Sequence, residues 1–69
     1  MLEPSVEKLV RRAQRNEITE YHIYRKLVKR QDNPHNQDIL NRIAEDELRH
    51  YQFWKTFTRC ELRPNNIII

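Results

Sequence analysis

Sixty-nine residues with a net charge of +3 make one domain at most, near the lower size limit for a chain that folds without disulfides, metal or a partner. No glycine and only three prolines exclude a sheet of short strands, which needs turn residues, and leave an all-α reading. The single cysteine, Cys60, excludes an internal disulfide framework and fits a reducing, cytoplasmic setting; nothing resembles a signal peptide or the roughly 20 apolar residues of a membrane span.

The first predicted element runs from about Ser5 to Arg30. Pro4 suits a first helical turn and Ser5 offers a capping hydroxyl. Val6, Leu9, Val10, Ala13, Tyr21, Tyr24, Leu27 and Val28 then recur at helical spacing. Two basic clusters, Arg11-Arg12-Arg15 and Arg25-Lys26-Lys29-Arg30, read as solvated helix surface. No nucleic-acid-reading motif accompanies them, so nucleic acid is not an expected partner.

Asp32-Asn33-Pro34 ends this helix and starts another, with Asn33 as cap and Pro34 in the first helical position. The second helix, residues 34–58, carries Ile39, Leu40, Ile43, Ala44, Tyr51, Trp54 and Phe57. So short a connection predicts an antiparallel two-helix hairpin over residues 1–58. The aromatic run Tyr51, Phe53, Trp54 and Phe57 reads as core and interface. Residues 59–69 form a tail ending in Ile67-Ile68-Ile69, which reads as contact with a neighbouring subunit or as the point where a longer protein continues into apolar sequence.

The chemistry lies inside the apolar stripes. With Glu17 at the centre of the first helical wheel, Val6, Val10, Ala13, Tyr21, Tyr24 and Val28 fall within about 40° of it and Glu20 at about 60°. With Glu47 at the centre of the second, Leu40, Ile43, Tyr51 and Trp54 fall within about 40° and His50 at about 60°. Glu45 points away, and His22 and His35 lie off the stripes, facing solvent. Each helix is therefore expected to bury a carboxylate at one depth of the hairpin. An unpaired buried carboxylate costs several kcal/mol, and no Lys or Arg lies on either stripe to offset it. A bound cation would. Carboxylates mixed with imidazole suit iron, with manganese or zinc as substitutes, rather than calcium. Ferritin-like di-metal proteins take one Glu from each of two helices and a Glu-x-x-His from each of the other two. Glu17 and Glu47-Leu-Arg-His50 supply one of each, half of a four-helix bundle to be completed by a second copy or by a downstream segment.

The segments Glu17-Ile-Thr-Glu-Tyr-His-Ile-Tyr24 and Ile43-Ala-Glu-Asp-Glu47-Leu-Arg-His50-Tyr-Gln-Phe-Trp54 resemble the two kinds of ligand helix in rubrerythrins. More narrowly, they resemble the ferritin-like domain at the N-terminus of some prokaryotic proteins of the vacuolar iron transporter family. The resemblance covers about Asn16 to Pro64. It implies that Glu17 is a terminal or bridging ligand, that Glu47 bridges two metals and that His50 caps one of them. Tyr24 and Tyr21 would be hydrogen-bond donors beside the site, and Glu20 an added ligand or near-ligand. The expected function is iron binding at a di-iron centre in a homodimer or higher oligomer, with oxidation of ferrous iron by oxygen or peroxide. The alternative is an iron-sensing or iron-delivery module on the cytoplasmic face of a membrane transporter; a metal-free helical dimerisation module ranks third.

Overall fold

The computed structural model describes residues 2–66. It consists of α1 (Pro4–Arg30) and α2 (Pro34–Thr58), with no strand among the described residues. Pro4 does open α1, but Ser5 is already helical and Glu3 occupies the cap position without a side-chain bond. Asn33 behaves as its sequence suggests: its side-chain oxygen accepts from the amides of His35 (2.8 Å) and Asn36 (3.2 Å), and Pro34 follows at the first helical position. α2 stops at Arg59, which adopts the left-handed conformation (φ 56°, ψ 26°) that glycine would usually supply in a chain containing one.

The helices are antiparallel. Contacts pair Gln14 with Thr58, Glu17 with His50 and Arg25 with Asn41, so position rises along one helix as it falls along the other. The strip buried between them is narrow and comprises Gln14, Ile18 and Thr19 of α1 and Ala44, Tyr51 and Thr58 of α2.

One flank is closed by residues 60–65 of the tail, which turn back along the hairpin. The Gln14 amide donates to the Cys60 carbonyl (2.7 Å), the Tyr51 hydroxyl accepts from the Leu62 amide (3.1 Å), and the Thr19 hydroxyl accepts from the Asn65 amide (2.8 Å). The isoleucines Ile67–Ile69 lie outside the described residues.

The rest of the apolar surface stays open. Val6 and Leu9 of α1 and Ile39, Phe53 and Phe57 of α2 are exposed, with Leu9 at 62 % and Phe53 at 55 %. The reason is geometric. The stripe is too wide for one partner helix to cover, and the tail takes the opposite flank. With extents of 45 × 22 × 14 Å the chain is one helix layer thick, and a layered fold buries its apolar faces only against a second layer. The two-helix unit is thus half of a ferritin-like bundle.

Candidate metal centre

Glu17 sits mid-way along α1 and Glu47 and His50 mid-way along α2, where the antiparallel packing brings them to one level. One ligand atom from each of the three lies within 4.8 Å of the others. His50 Nδ1 is 3.0 Å from Glu17 Oε2 and 3.5 Å from Glu47 Oε1. Two carboxylates and one ring nitrogen thus converge on a single point, where a cation could be held.

The two carboxylates are mostly withdrawn from solvent, with side chains 20 % and 14 % exposed, whereas the His50 side chain is 59 % exposed. The cluster therefore opens onto the uncovered apolar face and is not sealed within the hairpin. Among the described residues no Lys or Arg pairs with Glu17 or Glu47. Two half-desolvated carboxylates held together without a fixed positive side chain form a site whose charge a cation would balance. The donor set of carboxylate oxygens with an imidazole nitrogen, without thiolate, fits iron, manganese or zinc.

Glu20, placed near the site by sequence, lies outside the cluster of three and is exposed. Its carboxyl shares a hydrogen bond with Glu47, and that bond, followed by desolvation and the charge of Glu47, raises its pKa from 4.5 to about 7. A proton shared between the two carboxyls thus relieves part of the repulsion at the mouth of the site.

Residues 2–58 match the family model described as Rubrerythrin. The chain belongs to the rubrerythrin family. Its ferritin-like helical character follows from that membership, and domains of the family usually bind iron. Comparison with curated proteins and with solved structures gives no match.

The rubrerythrin-like hairpin places the remaining candidates less directly. Tyr21 and Tyr24 are half-buried, but neither hydroxyl bonds to the cluster among the described residues; Tyr21 instead packs edge-on against His22 at 5.2 Å. His22, His35 and Glu45 are exposed, as their wheel positions predicted. The aromatic run divides. Tyr51 is core, Trp54 is half-buried, and Phe53 and Phe57 form an exposed edge-to-face pair at 5.3 Å, outside the core of this hairpin.

Sequence reasoning missed Gln14, Thr19 and Thr58, the polar groups that fasten the tail. The signal was weak but present. Gln14 lies about 60° from Glu17, inside the apolar stripe, on the side away from Glu20.

Proposed function

We propose that Glu17, Glu47 and His50 bind iron, and that two hairpins share a carboxylate-bridged di-iron centre that oxidises ferrous iron. The observation that carries this reading is the convergence of three metal-type donors within 4.8 Å on an open apolar face, with no cationic side chain to balance them.

The position of the cluster supports a shared site. Glu17 is the middle residue of α1 (27 residues), and Glu47 is one residue past the middle of α2 (25 residues). A two-fold axis through the mid-points superposes two half-sites while keeping the full length of both hairpins in contact. Off-centre ligands would force the hairpins to overhang. Together the two copies hold the four carboxylates and two histidines of the ferritin-like pattern.

In this arrangement Glu17, Glu47 and His50 of each copy would hold the metal pair, with the two carboxylates supplying negative charge and the imidazole a neutral nitrogen donor. Glu20, beside Glu47, would add a further carboxylate at the mouth and could release its proton where a cation was held. Iron, when bound, supplies the one-electron steps that oxygen or peroxide reduction requires. The apolar flanks keep bulk water from the carboxylates, which strengthens their hold on a cation.

The test is an anaerobic ferrous titration with mass followed by light scattering, then admission of air. About one iron per chain in a dimer is expected, with oxidation after air. Glu47→Ala and His50→Ala should each abolish stoichiometric binding. Binding lost in neither variant sinks the metal site. Clear ferrous binding without oxidation would instead assign a sensing or delivery role, the reading that attaches this hairpin to a membrane transporter.

A further inference from the structure

The open face of the hairpin is not uniform along its length. At the end where α1 starts and α2 finishes, Phe57 stands out, 47 % exposed and packed edge-on against Phe53 at 5.3 Å. At the opposite end, where α1 gives way to α2, lies a shallow cleft of about 250 Å³ lined by Gln31, Asn36, Ile39 and Leu40. Asn36, Ile39, Leu40 and Phe57 all fall within about 80° of Glu47 around α2, so knob and cleft lie on the same face as the cluster.

Their spacing relates one to the other. Ile39 and Phe57 are five full turns apart on α2, so they lie on one line along the helix, about 27 Å from each other. Their midpoint is Leu48, between Glu47 and His50. Ile43 and Trp54, half-buried on the same face, are centred within one residue of that point. On α1, Ala13 with Tyr21 and Val10 with Tyr24 are each centred on Glu17. The Glu17–His50 contact at 3.0 Å sets the midpoints of the two helices at one level.

A two-fold axis can bring two such faces together in two ways. Running along the helices, it lays α1 on the second copy's α2 and gathers both clefts at one end and both aromatic knobs at the other. Each cleft is then faced by the smaller Leu27 and Val28, which the Arg25–Asn41 bond places near its level. Running across the helices at the level of the cluster, the axis lays α2 on the second copy's α2 in reverse. Each Phe57 then falls on the other copy's Ile39, and both clefts receive a ring. An unfilled cleft forfeits dispersion contacts, so the crosswise axis packs better. It also makes the patch self-complementary, as a two-fold interface requires. A face bounded by 45 × 22 Å exceeds the roughly 800 Å² per partner that a standard interface buries.

We infer that a second copy of this chain covers the open face across a two-fold axis perpendicular to the helices, with Phe57 of each copy seated in the Ile39 cleft of the other. The inference rests on the proposed function for the level of the axis, which passes through the shared cluster. The contact itself is apolar and needs no metal.

The experiment is disulfide trapping in the full chain, with Cys60→Ser to remove the native thiol and Ile39→Cys/Phe57→Cys to report the contact. Within one chain the two positions are about 27 Å apart, far beyond the roughly 7 Å that a disulfide spans between Cα atoms, so any bridge joins two copies. Mild oxidation with diamide should give a covalent dimer with no free thiol, while Ile39→Cys or Phe57→Cys alone should stay unbridged. Because the cysteines also remove the knob, alanine variants provide a second reading. Phe57→Ala should raise the dimer dissociation constant by more than about tenfold, and should have much less effect once Ile39→Ala is present. Bridging in the single variants, a double variant that sediments as a dimer yet does not bridge, additive alanine losses, or a parent chain that stays monomeric would each overturn the inference. An iron-loaded dimer with additive alanine losses would leave the metal reading standing and overturn this one. Coupled losses in a dimer that binds no iron would do the reverse.

Discussion

Gln14 is the largest fully buried side chain among the described residues, and both ends of its amide are occupied. Its nitrogen donates to the Cys60 carbonyl, and its oxygen accepts from the Thr58 hydroxyl at 2.6 Å. The Thr58 oxygen in turn accepts from the Cys60 amide at 3.3 Å, so three polar groups close a small buried network at the start of the tail. Gln14→Leu roughly keeps the volume but leaves the Cys60 carbonyl without its donor and the Thr58 hydroxyl proton without its acceptor. It should cost about 1–3 kcal/mol in a urea titration and speed thiol labelling of Cys60 as the tail loosens. Unchanged stability with unchanged labelling would show that the network holds nothing. Glu20 gives a second prediction at this scale, made for the metal-free protein. Its pKa is raised from 4.5 to about 7 by the hydrogen bond and charge of Glu47, so the folded chain binds a proton that the unfolded chain has already released between those values. Its stabilising contribution is complete below pH 4.5 and disappears as the pH rises through 7. Thermal melts from pH 4 to 8 should therefore fall less steeply for Glu20→Gln, whose amide can still donate to Glu47 at every pH, than for the parent chain. Parallel curves would remove the shared proton from the account.

The connection between α1 and α2 fixes the register that brings Glu17 to His50. Asn33 caps two amides at the start of α2, and Gln37 reaches back to the Gln31 carbonyl, so the three-residue link is held from both sides. Asn33→Ala should cost about 1 kcal/mol in thermal or urea unfolding while Asn33→Asp should cost much less, since aspartate keeps the acceptor oxygen. Equal losses in the two would mean that the cap bond contributes nothing. This link was readable from sequence because Asn-Pro is punctuation that acts through local chemistry. That Glu17, Glu47 and His50 come together was readable for a related reason: carboxylates at the centre of an apolar stripe conflict with burial, and the conflict marks a candidate site. The course of the tail was not readable. Its partners are the backbone groups of Cys60, Leu62 and Asn65, which carry no side-chain signature, and the polar residues that hold them are spread over both helices. Which part of the apolar stripe the single neighbouring helix covers was not readable either, because a helical wheel gives the width of a stripe without saying where one neighbour will lie.

For the whole molecule the unresolved quantity is apolar surface. A slab 14 Å thick leaves Val6, Leu9, Ile39, Phe53 and Phe57 exposed on the side onto which the cluster opens, with half-buried Val10, Ile43 and Trp54 between them. A second hairpin laid antiparallel across this face would bring the Leu9 and Phe57 end of one copy against the Ile39 end of the other, because the carboxylates sit at the helix mid-points. Apolar burial and metal binding would then drive the same association: the flanks supply non-directional attraction, and the cluster sets the register. Two variants separate these contributions. Leu9→Glu/Phe57→Glu puts charges into the flanks away from Glu17 and should yield a monomer by sedimentation equilibrium, with or without ferrous iron. Glu47→Ala should keep the dimer yet abolish the rise in its stability on adding iron. It removes the ligand while leaving every flanking side chain in place. A parent chain that sediments as a monomer at all concentrations, with iron present, would show that this face is not covered by a second copy. A dimer that survives Leu9→Glu/Phe57→Glu undiminished would show that it forms through some other surface.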